Sequence, residues 1–214
     1  MRIHRAIKMK FKLYIALLLT FILTISGCIV VKEEEYKDVT PTVNLSPKPE
    51  LEMNQDPIRS KMGDMISFFP KEWFLVDLKN EASADIMAVA VNPDYSLSAV
   101  FKTIRKNSQI DKIVDKEGLL GLARLSFARH QRKSGGVAKQ VGKYTPTDMG
   151  SNQFVRSEYT VKGGALNSKV VVFKSSLGKY YEIALIPMDI KGKPLPSKSE
   201  RQKIFRSILA TTKF

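Results

Sequence analysis

The chain has 214 residues and a formal net charge of +14, with 35 Lys and Arg against 21 Asp and Glu. Hydrophobic residues make up 43%, which is enough to build a core and excludes wholesale disorder. One Cys and two His exclude a disulfide framework and leave too few ligands for a structural zinc site. We therefore expect one or two folded domains, and the question is what the positive charge serves.

The first 27 residues have the pattern of an export signal. Basic residues without any acid fill residues 2–12, and an apolar run follows over residues 13–25. This run is shorter than the roughly 20 apolar residues of a transmembrane helix and suits a signal peptide better. It ends at Ile25, Ser26, Gly27 and Cys28.

These four residues resemble the lipobox of bacterial lipoproteins, in which an aliphatic residue and two small residues precede a Cys. The resemblance implies cleavage between Gly27 and Cys28, a diacylglyceryl group on the Cys28 thiol, and acylation of the new amine, for example by palmitate. Two or more acyl chains anchor a protein stably in a membrane. Ile29, where inner-membrane lipoproteins have Asp, implies the outer membrane if the organism has one. The alternative is an ordinary membrane anchor with a chance Cys.

Residues 28–60 read as a lipidated Cys followed by a disordered tether. They contain four prolines, an acidic cluster at residues 33–35 and no sustained hydrophobic period. The domain is therefore expected to begin at residue 61.

The elements of this domain are predicted from hydrophobic period and turn residues. Strands are predicted first at 64–69, 73–78, 86–91 and 98–104. A helix is predicted over 111–133 because apolar residues recur there at helical spacing: Ile113, Leu120, Ala123 and Phe127. Strands at 153–161, 169–174 and 180–186 and a closing helix at 197–209 complete the series. This order predicts an α+β fold with a mostly antiparallel sheet between two helices.

Residues 66–73 read ISFFPKEW and resemble the opening of the PsbP-like superfamily, where an aromatic–Pro–x–x–Trp turn follows the first strand. The later element order and residues 205–208 are similar too. The resemblance covers residues 61–214 and implies an α/β/α sandwich around an antiparallel sheet. The superfamily includes extrinsic photosystem subunits, Ran-binding relatives and bacterial lipoproteins, and it shares no catalytic motif that could be carried over.

No constellation of catalytic residues stands out. His130 is the only imidazole after the signal, and as a helix-end His beside Arg129 it is expected to be structural or solvated. The stretch 136–143 has one residue too many for a phosphate loop. Ser176 and Lys179 match a Ser-x-x-Lys motif, but they fall at an expected hairpin tip. We expect no enzyme, no cofactor and no metal site.

The excess charge lies mainly on the domain, since the expected tether is acidic. Nucleic acid is a poor partner for an exported chain without a nucleic-acid motif. Anionic lipid or polymer is a better one, and a surface that only favours solubility is equally compatible.

The leading hypothesis is a lipid-anchored, non-enzymatic accessory or interaction subunit on the extracytoplasmic side of a bacterial membrane, with a protein partner in the envelope. The alternative is an envelope module that binds a small apolar ligand or an anionic lipid or polymer. An unrecognised hydrolase is the third possibility.

Overall fold

A sheet of eight strands lies at the centre of the computed structural model, which describes residues 37–78 and 83–214. The strand order is β1-β7-β8-β9-β10-β6-β5-β4, and β2 and β3 form a separate pair. In chain order the strands are β1 (Val43–Leu45), β2 (Ile58–Arg59), β3 (Ile66–Ser67), β4 (Phe74–Leu75), β5 (Ile86–Val91), β6 (Leu97–Ile104), β7 (Lys139–Met149), β8 (Asn152–Val161), β9 (Leu166–Lys174) and β10 (Tyr180–Pro187). Between neighbouring strands of the large sheet only the β1–β7 pairing is parallel.

Two helices, α1 (Ser108–Lys133) and α2 (Lys198–Thr211), cover the two faces of this sheet. Successive side chains of β10 point to opposite faces of the sheet. Tyr181 and Ile183 therefore lie in the core beneath α2, and Tyr180 and Ala184 lie in the clusters beneath α1. The α/β/α sandwich with a mostly antiparallel sheet is therefore confirmed.

The predicted helices are present with small differences at their ends. α1 begins three residues early because the Asn107 side chain caps it, accepting from the Ile110 N–H at 2.8 Å. Gly118 interrupts α1 with a φ of 61° and a ψ of −150°, so the helix is two segments joined at this residue. α2 begins with a capping box between Ser197 and Glu200.

The predicted boundary at residue 60 needs correction, because residues 37–60 are part of the fold. β1 pairs with β7, and β2 pairs with β3. The Glu50 N–H also donates to Ser207 Oγ in α2 at 2.9 Å. The folded unit extends over Lys37–Phe214. The expected signal peptide, with Gly27 and Cys28, lies outside the described residues.

The predicted turn at Pro70 is confirmed. The Trp73 N–H donates to the Pro70 carbonyl at 3.0 Å, and the Trp73 side chain is buried in the core beneath α2. The flanking strands β3 and β4 have only two residues each, shorter than predicted. β7 was not predicted at all, because a bulge between Val141 and Thr145 breaks its period.

Candidate interaction edge and buried charge clusters

An exposed apolar patch lies at the β4 end of the large sheet. β4 is the last strand on that side among the described residues, so no described strand pairs with its outer edge. Phe74 and Leu75 of β4 are partly exposed, as are the following Val76 and, in the β5–β6 turn, Tyr95. We call Phe74, Leu75, Val76 and Tyr95 the edge patch; their exposure ranges from 38% to 50%. An apolar edge strand of this kind can pair with another chain.

Tyr95 is held in an unfavourable backbone conformation. Its φ is +61°, in the left-handed region that non-glycine residues rarely occupy. The turn around it is fixed by Asn92, whose Oδ1 accepts from the Leu97 N–H at 2.8 Å, and by Asp94, which accepts from Ser96 Oγ at 2.7 Å. The Tyr95 ring meets Phe74 edge-on with the centroids 5.4 Å apart. The turn therefore supports a strained residue whose side chain is half exposed.

A buried charge cluster lies between the sheet and α1, centred on Glu182 of β10. Glu182 is only 5% exposed. Its Oε1 lies 3.0 Å from both Lys102 Nζ and His130 Nε2, and its Oε2 accepts from Ser126 Oγ at 2.5 Å. The His130 ring also stacks on Tyr159 with centroids 4.8 Å apart. The carboxylate is thus fully engaged by three side chains.

The Glu182 cluster contains a Ser, a His and a carboxylate, but not in the order of a catalytic triad. In a triad the imidazole lies between the hydroxyl and the carboxylate and takes the proton of the hydroxyl. Here Ser126 and His130 both contact Glu182. Burial opposes the ionisation of Glu182, but the hydrogen bond from His130 and the charge of Lys102 outweigh it and lower its pKa to about 2. In this geometry the Glu182 carboxylate is held in its ionised form by side chains of β6 and α1.

A second buried carboxylate, Asp64, lies between β2 and β3. It accepts from three hydroxyls, Ser60 and Tyr181 at its Oδ1 and Ser175 at its Oδ2, over 2.5 to 2.7 Å. Burial opposes ionisation here too, yet these hydrogen bonds lower the pKa of Asp64. Burial and the Asp64 contact raise the pKa of Tyr181 to about 12. Three hydroxyl donors, together with a backbone hydrogen bond, therefore stabilise this charge.

The structure places the residues considered from sequence as follows. His130 lies in the last turns of α1, where its side chain contacts Glu182. Ser176 and Lys179 lie at the turn between β9 and β10, where a hairpin tip was expected. Glu182 was missed, although an acid within the otherwise apolar text YYEIALIP is the signal that could have found it.

Among residues 37–78 and 83–214, no group of three or more His, Cys, Asp and Glu side chains could hold a metal ion. No helix in the described part of the chain has the length and apolarity needed to cross a membrane.

The fold is PsbP-like. The solution structure of cyanobacterial PsbP (CyanoP) from Synechocystis sp. PCC 6803 matches 73% of this chain and 90% of its own, with a TM-score of 0.55 and 13% sequence identity. A mutant of the protein Mog1 matches 75% of this chain and 95% of its own, with a TM-score of 0.46 and 14% identity. No protein-family model matches the sequence, and no curated protein does.

Proposed function

We propose that the chain is a lipid-anchored, non-enzymatic interaction subunit on the extracytoplasmic side of a bacterial membrane, on the periplasmic face of the outer membrane where one exists. The lipobox-like Ile25-Ser26-Gly27-Cys28 supports the anchor. The fully engaged carboxylates of Glu182 and Asp64 support a binding role, since neither cluster leaves a free acid or base beside a nucleophile.

The edge patch is the observation that carries the interaction role. It combines a strand edge that no described strand covers, exposed Leu75 and Val76, and an aromatic residue kept in a costly conformation. Backbone strain persists where the surrounding structure enforces it, often at ligand-contact sites. The partner that fits is a protein segment in extended conformation that adds a strand to β4 and covers Phe74 and Tyr95.

We propose that the protein partner is itself an envelope component, because the lipobox-like residues 25–28 imply that the chain is exported.

The anchor is tested by mass spectrometry of the mature N-terminus from membranes of the native host. We expect a peptide that begins at Cys28 and carries two or more acyl chains. The matched control is Cys28→Ala, which should remain uncut and unacylated. An unmodified Cys28 in the wild-type protein would overturn the anchor.

The interaction is tested by placing a photocrosslinking amino acid at Leu75 in intact cells. A matched position is Lys116, which is exposed on α1. We expect one discrete crosslinked species from position 75 and none from position 116, and we expect Val76→Asp to abolish it. Equal products from both positions, or none from position 75, would argue against the edge patch as the contact surface.

A further inference from the structure

Arg156 of β8 lines a cavity on the α2 side of the sheet, and it has no acidic partner among the described residues. The Arg156 Nε donates to Thr147 Oγ1 at 2.7 Å, and Thr147 Oγ1 in turn donates to the Thr145 carbonyl at 3.1 Å. This chain of hydrogen bonds fixes the guanidinium plane. No carboxylate among the described residues lies within ion-pair distance of Arg156, and its two terminal nitrogens have no described acceptor.

The charges around Arg156 increase the cost of leaving it unpaired. Burial, and then the positive charge of Arg206 on α2, lower the pKa of Arg156. Both effects disfavour the charged form, and a nearby anion would relieve both. A half-buried guanidinium with free, fixed donors next to a second cation is the arrangement that binds oxyanions.

The cavity beside Arg156 has a volume of about 260 Å³. It lies at the bulge of β7, so that Lys143 lines it together with Lys169 of β9 and Gln202 of α2. Its lining also contains one carboxylate, Glu158. Water occupies roughly 30 Å³ per molecule in the liquid, so the space accommodates a tetrahedral anion with a small substituent.

Glu158 attracts Arg156 electrostatically but forms no ion pair with it, because two other side chains bind its carboxylate. Its Oε1 accepts from Lys169 Nζ at 2.5 Å, and its Oε2 accepts from Asn167 Nδ2 at 3.1 Å. Burial opposes its ionisation, but these contacts lower its pKa. The Glu158–Lys169 pair is therefore neutral overall, and the remaining lining charges, Arg156 and Lys143, are positive.

We infer that the cavity formed by Arg156, Lys143 and Gln202 is a binding site for a phosphate group. The fork of the guanidinium matches two phosphate oxygens, and Lys143 supplies a second charge at the rim. The phosphate group can belong to a phospholipid headgroup or to a free phosphate. This site lies on the α2 face, it goes beyond the proposed interaction at β4, and it does not depend on the lipid anchor.

The test measures binding to the full-length chain in detergent by titration calorimetry at constant ionic strength. One probe is inorganic phosphate, and the other is glycerophosphoglycerol, the water-soluble diester of a phosphatidylglycerol headgroup. Arg156→Gln should weaken binding about tenfold or more, as expected for a charge-assisted hydrogen-bonded pair. Lys143→Gln, at an exposed position, should weaken it several-fold.

The matched control is Arg132→Gln, which removes the same charge from an exposed position on α1, across the sheet. It should bind as the wild type does. Preference for the diester assigns the site to lipid headgroups, and preference for inorganic phosphate assigns it to free phosphate. Absence of binding of both probes at millimolar concentration, or unchanged affinity in a folded Arg156→Gln variant, would overturn the inference. Circular dichroism establishes that each variant is folded.

Discussion

The guanidinium of Arg124 in α1 holds the carboxylate of Asp38 at two points, with Nη2–Oδ1 at 2.7 Å and Nε–Oδ2 at 3.1 Å. A third contact, from Arg124 Nη1 to Glu117 at 2.6 Å, keeps the side chain in position. The Asp38 carbonyl accepts from the Tyr144 N–H, and the Thr40 N–H donates to the Tyr144 carbonyl. The beginning of the described chain is therefore attached to both α1 and β7.

Asp38→Asn should loosen this attachment. Removing the charge weakens the contact with Arg124, which also binds Glu117, so amide hydrogen exchange at Val39, Thr40 and β1 should become faster. Because Asp38 is partly exposed, the loss of global stability should stay below about 1 kcal/mol. Hydrogen-exchange mass spectrometry with Asp56→Asn as the control checks this. Equal exchange in wild type and Asp38→Asn would show that the strand pairing alone holds the segment.

Glu182 should make stability depend on pH in the acid range. Its folded pKa of about 2 lies below the ordinary value of 4.5. A depressed carboxyl pKa contributes stability that is present above the unfolded pKa and is lost as the pH falls through the folded pKa. We therefore expect stability to fall between about pH 4.5 and pH 2 by on the order of 3 kcal/mol from this group.

The measurement is urea unfolding as a function of pH. Glu182→Gln should be destabilised near neutral pH by on the order of 3 kcal/mol, because the partly buried Lys102 loses its partner, and its acid dependence should be shallower. Glu72→Gln, on the exposed Pro70–Trp73 turn, serves as the control and should follow the wild-type profile. A Glu182→Gln profile parallel to that of the wild type would contradict the role given to this carboxylate.

The sequence predicted the parts of the fold whose signals are local. The spacing of Leu120, Ala123 and Phe127 predicts a helix, and the apolar run at residues 180–186 predicts a strand, because helical and strand periods repeat along each segment. The turn from Pro70 to Trp73 is equally local, since the proline ring fixes its own backbone angle. These elements define the PsbP-like sandwich.

Other parts depend on residues that are distant in the chain. β1 has only three residues, Val43–Leu45, and it forms by pairing with Thr147–Met149. So short a strand has no visible period in the sequence, and the prolines around it therefore suggested a disordered tether. Arg156 and Glu182 likewise acquire their roles from neighbours on other elements. A single sequence shows that both residues are charged. Only the fold shows that Glu182 is paired with Lys102 and His130, whereas Arg156 has no carboxylate partner among the described residues.

Gly118→Ala should destabilise the protein, although Ala normally stabilises a helix relative to Gly by about 1 kcal/mol. The φ of 61° and ψ of −150° at Gly118 belong to a region that is open almost only to glycine. Apart from its chain neighbours and the nearby backbone of its own helix, no heavy atom lies within 4 Å of a Cβ built at Gly118, so the effect isolates backbone strain. We expect a loss of about 1–3 kcal/mol in thermal or urea unfolding. The control is Gln131→Ala in the same helix, which should change stability by only a few tenths of a kcal/mol. A Gly118→Ala variant that is more stable than the wild type would contradict the interruption of α1 at this residue.

Tyr95→Gly should separate stability from interaction at the edge patch. Glycine relieves the cost of the positive φ, about 1–3 kcal/mol, while the lost ring contact with Phe74 costs about 0.5–1.5 kcal/mol. The variant should therefore be less stable than the wild type by no more than about 0.5 kcal/mol, yet it should lose the crosslink from position 75. Tyr95→Phe keeps the ring and should retain both properties. Urea unfolding and crosslinking yield on the same variants check this, and a markedly destabilised Tyr95→Gly would mean that the side chain supports the fold rather than a partner.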